Sequence, residues 1–163
     1  MKSQILCYGI STEAPTFQVN VSVQGGTSEL LYGSPVTLIC DYTFDPADSI
    51  QSVAWLIGDI HGDLTPIASH IPPITPPIRY RSDSYKPPAY HMIVEEGEGT
   101  GQGKSQFMIQ SLDWDDGRPF WCTVALNSAL AGTDHVVLSV TGKEMQRNVL
   151  RRHGISYVVP DVV

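Results

Sequence analysis

An all-β fold of two packed antiparallel sheets is predicted by three features of this 163-residue chain. Apolar residues recur at every second position in several short runs, the spacing of strands buried on one side. Fourteen glycines and twelve prolines punctuate the chain between those runs, and few stretches carry helical spacing. Two of the three cysteines, Cys40 and Cys122, fall at inward positions of separate runs. Apolar residues make up 42% of the chain and charged residues 17%, which excludes a wholly disordered polypeptide. The length fits one domain with flanking segments.

The first strand alternates Phe17, Val19, Val21 and Val23 inward with Gln18, Asn20, Ser22 and Gln24 outward, and ends at Gly25-Gly26. Gly33-Ser34-Pro35 opens the second, in which Val36, Leu38, Cys40 and Tyr42 share a face. After the polar turn at Asp45-Pro46, a third strand points Val53, Trp55 and Ile57 inward. Prolines crowd the stretch from Pro66 to Pro88. Proline donates no ladder hydrogen bond, so this stretch is expected to be an extended edge or long loop and not a central strand. Tyr90 to Val94 recovers a short strand, and Glu95 to Lys104 reads as a glycine-rich turn. A strand follows from Ser105 to Leu112 with Phe107 and Ile109 inward, then a turn at Asp113 to Gly117. Phe120, Cys122, Val124 and Leu126 share the next inward face. Residues 127–133 read as a hairpin loop and residues 135–140 as the last strand.

Two inward cysteines on separate strands, with an inward Trp55 between them in sequence, place a bridge and a large indole at the centre of a sandwich core. Closing so long a loop stabilises the fold by roughly 4 kcal/mol in the chain-entropy account. The pattern resembles the immunoglobulin superfamily, in its variable-type or intermediate-type form. Gly33, Val36, Leu38 and Cys40 look like that family's second strand, and Trp55 like its core tryptophan. Phe107, Ile109, Leu112, Asp116 and Cys122 sit at its spacings before the second cysteine, and Asn127 with Gly132, Leu138 and Val140 at its terminal hairpin. The resemblance implies an immunoglobulin-like antiparallel β-sandwich with one inter-sheet disulfide, Cys40–Cys122, over residues 16–141. Residues 1–15, with the unpaired Cys7, read as a leader or disordered N-terminus, and residues 142–163 as a disordered tail or short helix.

The chain departs from the family pattern in places. Phe120 stands where the family has tyrosine, so the corner hydrogen bond of that hydroxyl is missing. Gly117 lies one place early. Arg79 or Arg81 is the expected partner for Asp116. The joining motif of antibody chains is absent, which weighs against antibody-like pairing.

Other chemistry finds little support. Ten Lys and Arg against seventeen Asp and Glu give a net charge of −7, with no basic stripe for a nucleic acid. No apolar run is long enough for membrane insertion by this segment. Gly58-Asp59-Ile60-His61-Gly62-Asp63 looks like the first metal motif of calcineurin-like phosphoesterases, but the further ligand boxes such a two-metal centre needs are not present. A metallophosphoesterase working through Asp59 and His61 is therefore the remote alternative. The five histidines are scattered, so no metal and no cofactor is expected. Asn20-Val21-Ser22 is an N-glycosylation sequon whose Asn points away from the core.

Alternation also turns Trp121 outward, between inward Phe120 and Cys122. Leu56 and Thr123 share its face, with Ala54 and Ala125, and an exposed indole there would make a binding hot spot. The expected function is an extracellular recognition or adhesion module without catalysis. Its partner is a protein or another immunoglobulin-like domain, a homodimer among the options, met through this face or through the loops near 45–50 and 127–133. The alternative is a structural spacer in a multi-domain chain.

Overall fold

The computed structural model describes residues 17–58, 62–74, 77–79, 90–97 and 100–142. The leader and tail segments, Asp59, His61, Arg81 and the side chain of Arg79 lie outside the described residues. The strands are β1 (Gln18–Val23), β2 (Glu29–Leu31), β3 (Val36–Thr43), β4 (Ile50–Gly58), β5 (Leu64–His70), β6 (Ile78–Arg79), β7 (Tyr90–Gly97), β8 (Gln102–Ile109), β9 (Pro119–Leu126), β10 (Ala131–Val137) and β11 (Ser139–Thr141). They form one sheet in the order β1-β3-β8-β7 and a second in the order β10-β9-β4-β5-β6. Both are antiparallel, and a short parallel pair of β2 with β11 closes one end. The protein is an all-β sandwich whose sheets are bridged by Cys40–Cys122.

Period-two burial builds the core. Val36, Leu38, Cys40 and Tyr42 of β3 and Phe120, Cys122, Val124 and Leu126 of β9 are all buried, as their alternation predicts. Trp55, Phe107 and Phe120 are wholly inaccessible, and the rings of Trp55 and Phe120 lie 5.6 and 6.4 Å from that of Phe107. The bridge joins β3 to β9 across the sandwich, with Cα atoms 6.3 Å apart and a sequence separation of 82.

Beside the bridge runs a second link. In register, Ser105 of β8 is the partner of Cys40, and Trp55 of β4 is the partner of Cys122. The Trp55 indole N–H donates to Ser105 Oγ at 2.9 Å, and the hydroxyl donates on to the Ile93 carbonyl at 3.3 Å. A disulfide and a hydrogen bond thus span the core from adjacent strand pairs. Ser105 is fully buried, and the parity of Phe107 and Ile109 already assigns it inward.

One side of the sandwich is closed across its sheets. A Cβ on Gly132 of β10 would lie 2.8 Å from Phe17 and Val19, so the absence of a side chain there lets β1 approach β10. Asp134 of β10 then accepts the Val21 N–H at 2.7 Å, a donor on the outer edge of β1. On the other side, the buried Tyr90 hydroxyl of β7 donates to the Ile67 carbonyl of β5 at 2.8 Å.

Three boundaries differ from the sequence reading. β5 runs through Pro66, where the ladder to β4 shifts register between Trp55 and Leu56. Pro66 faces solvent, and β6 pairs only with Ala68 and Ser69, so no outer strand lies beside Pro66, an edge position that tolerates proline. β7 and β8 reach Gly97 and Gln102, so the glycine-rich turn is shorter than its composition implies. The last hairpin strand starts at Ala131, because only the tip at 127–130 departs from the ladder. At the turn after β8, Asp113 caps a 3₁₀ turn (Trp114–Asp116): its carboxylate accepts the Trp114 N–H, and its own N–H donates to buried Asp116 at 2.7 Å. Leu112 is buried beside it.

Two outcomes test these links. Ser105→Ala strands the Trp55 N–H in the core and is expected to cost about 1–3 kcal/mol, read as a lower urea midpoint at unchanged slope. Asp134→Ala orphans the Val21 N–H and is expected to cost about 1–3 kcal/mol, with faster hydrogen exchange confined to β1.

Candidate functional site

The two sheets present chemically opposite outer faces. On the second sheet, cross-strand pairing sets His135, Trp121, Leu56 and Pro66 in one row across β10, β9, β4 and β5. The next row is Thr133, Thr123, Ala54 and Ser69. Val137 and Leu64 extend the apolar strip, 54% and 45% exposed. No Asp, Glu, Lys or Arg stands at an outward position of β10, β9, β4 or β5.

Trp121, Leu56 and Thr123 therefore share one face, as alternation requires, and all three are half-buried. Trp121 is less open than expected. The ring of His135 stacks on its indole at 4.1 Å with 18° between planes. The indole also lies toward Gly58, where an added Cβ would sit 3.4 Å from Nε1 and 2.7 Å from Pro119. Nε1 itself is buried without a hydrogen-bond partner. Thr123 and Thr133 approach each other at 3.2 Å between hydroxyl oxygens, and Thr133 donates to the Cys122 carbonyl at 3.1 Å. These side chains hold one another in place, so the face is a preformed surface with a flat aromatic stack in its upper row.

The first sheet differs. Its matching row is Asn20, Asp41, Lys104 and Glu95, across β1, β3, β8 and β7. Lys104 Nζ lies 3.6 Å from Asp41, both groups about half exposed, an ion pair of little energetic weight. Asn20 is exposed on this face.

The remaining candidates are placed as follows. Cys40, Cys122, Trp55, Leu112, Asp116 and Phe120 are core residues. Trp114 is 40% exposed and stacks on Tyr32 at 4.9 Å, against the β2–β11 end. The loops near 45–50 and 127–133 meet through the Asn127 N–H, which donates to the Ser49 carbonyl at 3.0 Å. Among the described residues, no group of three or more His, Cys, Asp or Glu is placed to hold a metal ion, and no helix is long and apolar enough to cross a membrane. The residue missed from sequence is His135, whose position over Trp121 follows only once the β9–β10 register is known.

Neither the protein-family models nor the curated proteins contain a match to the chain.

A double-mutant cycle on Trp121→Ala and His135→Ala is expected to return a coupling of about 0.5–1.5 kcal/mol in chemical denaturation, the range of an aromatic pair.

Proposed function

We propose that the chain is a non-catalytic recognition domain of the immunoglobulin superfamily, variable-type, which docks another domain of the same kind against its uncharged sheet face. The observation that carries this is the row His135, Trp121, Leu56 and Pro66, flanked by hydroxyls and alanines and free of formal charge. Interface centres are depleted in charge and enriched in aromatic residues, and a rigid stacked indole loses little entropy on burial.

The strand order supports the family reading. A four-strand sheet β1-β3-β8-β7 facing β10-β9-β4-β5-β6 matches the variable-type arrangement, in which two further strands extend the sheet carrying the second cysteine. The bridge beside Trp55 supports it as well. A disulfide in a core of this size favours an oxidising compartment, and so an extracellular setting.

The partner tested first is a second copy. Sedimentation equilibrium of the full chain is expected to show mass rising with concentration. Leu56→Asp is expected to weaken that association by about tenfold or more, because a carboxylate would be desolvated without a counter-charge. Gln106→Asp, on the opposite sheet, is expected to leave it unchanged. Association indifferent to Leu56→Asp and Trp121→Ala would overturn the assignment of the face. A chain monomeric at every concentration would exclude the second copy as partner.

A further inference from the structure

We infer that Asn20 is an acceptor for an N-linked glycan that lies over the charged sheet and leaves the uncharged sheet clear. This rests on the extracellular reading above. Its grounds are the site's own geometry. Asn20-Val21-Ser22 forms a sequon with no proline inside it. In β1 the pleat turns Asn20 and Ser22 to the same outward face, while Val21 between them is buried. The Asn20 side chain is exposed and makes no hydrogen bond among the described residues, so a sugar on its amide displaces none of their contacts.

Its surroundings suit a carbohydrate. A shallow open recess beside Asn20 is lined by Gln18, Asp41, Thr43 and Gln102, side chains able to bond to sugar hydroxyls. Asn20 is also the end member of the row containing Asp41 and Lys104. The buried core separates that row from Trp121.

The transfer is a substitution at carbon with no change of oxidation state. Asn20 Nδ2 forms a bond to C1 of the first sugar of a lipid-pyrophosphate-linked oligosaccharide. The C1–O bond to pyrophosphate breaks, the lipid pyrophosphate departs with the bonding pair, and the amide loses one proton. The donor is the lipid-linked oligosaccharide of the secretory pathway, the same oxidising route the Cys40–Cys122 bridge requires.

The test is intact-mass analysis of the 163-residue chain exported from eukaryotic cells behind a secretory leader, before and after enzymatic deglycosylation. The expected result is a mass loss that leaves aspartate at position 20. Asn20→Gln and Ser22→Ala should abolish the loss, and Ser22→Thr should retain it. Asn20 is exposed, so the Gln variant is expected to fold with its bridge intact, checked by non-reducing peptide mapping. Exported, bridged protein carrying an unmodified Asn20 would overturn the inference and leave the docking face standing. Association weakened by the glycan and restored by its removal would overturn its placement on the opposite sheet. Failure of the docking reading would show separately, as association that ignores Leu56→Asp.

Discussion

Four residues at the centre of the sandwich set the geometry of everything else. Cys40 and Ser105 are paired in one sheet, Cys122 and Trp55 in the other. A covalent bond joins the cysteines, and an indole N–H joins the remaining two. The links act on different states of the chain. In the chain-entropy account, the bridge works mainly on the unfolded ensemble, by closing a long loop. The hydrogen bond works on the native state: a slip of one residue in β4 or β8 would leave the indole N–H unsatisfied in the core and turn apolar side chains to water. The bridge thus favours folding in general, and the Trp55–Ser105 bond favours this particular register.

The outer face is a consequence of that register. Because Cys122 and Trp55 must point inward, their neighbours Trp121 and Leu56 must point outward, and pairing sets them side by side. Pairing of β9 with β10 then delivers His135 onto the Trp121 ring. Closure of the β1–β10 side by Gly132 and Asp134 has a further effect. The Val21 N–H, which could template a foreign strand, is already used. Along that side, the template for strand addition is interrupted at Val21.

Much of this was legible in the sequence, and the parts that were not share a cause. Period-two alternation identified the inward residues of β3, β4, β8 and β9 without knowledge of which strands pair. Ser105 escaped because patterns of apolar residues pass over a polar one, although its parity with Phe107 and Ile109 placed it in the core. Pro66 lies in a strand but at a position with no outer neighbour, which is compatible with the extended edge expected of a proline-rich stretch, since a proline forbids a strand only where its N–H is needed. His135 over Trp121 depends on cross-strand register, which a hairpin's sequence alone leaves open when its loop length is uncertain. Residues 127–133 read as loop, yet the strand begins at Ala131.

The contrast between the two faces is the strongest argument that the second is functional. Charged residues make up 17% of the chain, and the net charge is −7. A solvated sheet face ordinarily takes a share of that charge, as the row from Asn20 to Glu95 does. Solubility alone gives no reason to keep charge off the other face while placing a tryptophan on it. A docked partner gives one, since each charge there would have to be desolvated. The same absence of charge limits what the face can do. It offers no electrostatic steering, so encounter relies on diffusion and specificity on shape, on the stacked rings and on the threonine hydroxyls. A partner of like net charge that meets this uncharged face avoids close contact between its acidic groups and those of the opposite sheet, so the charge distribution is compatible with the second copy as well as with a neutral partner.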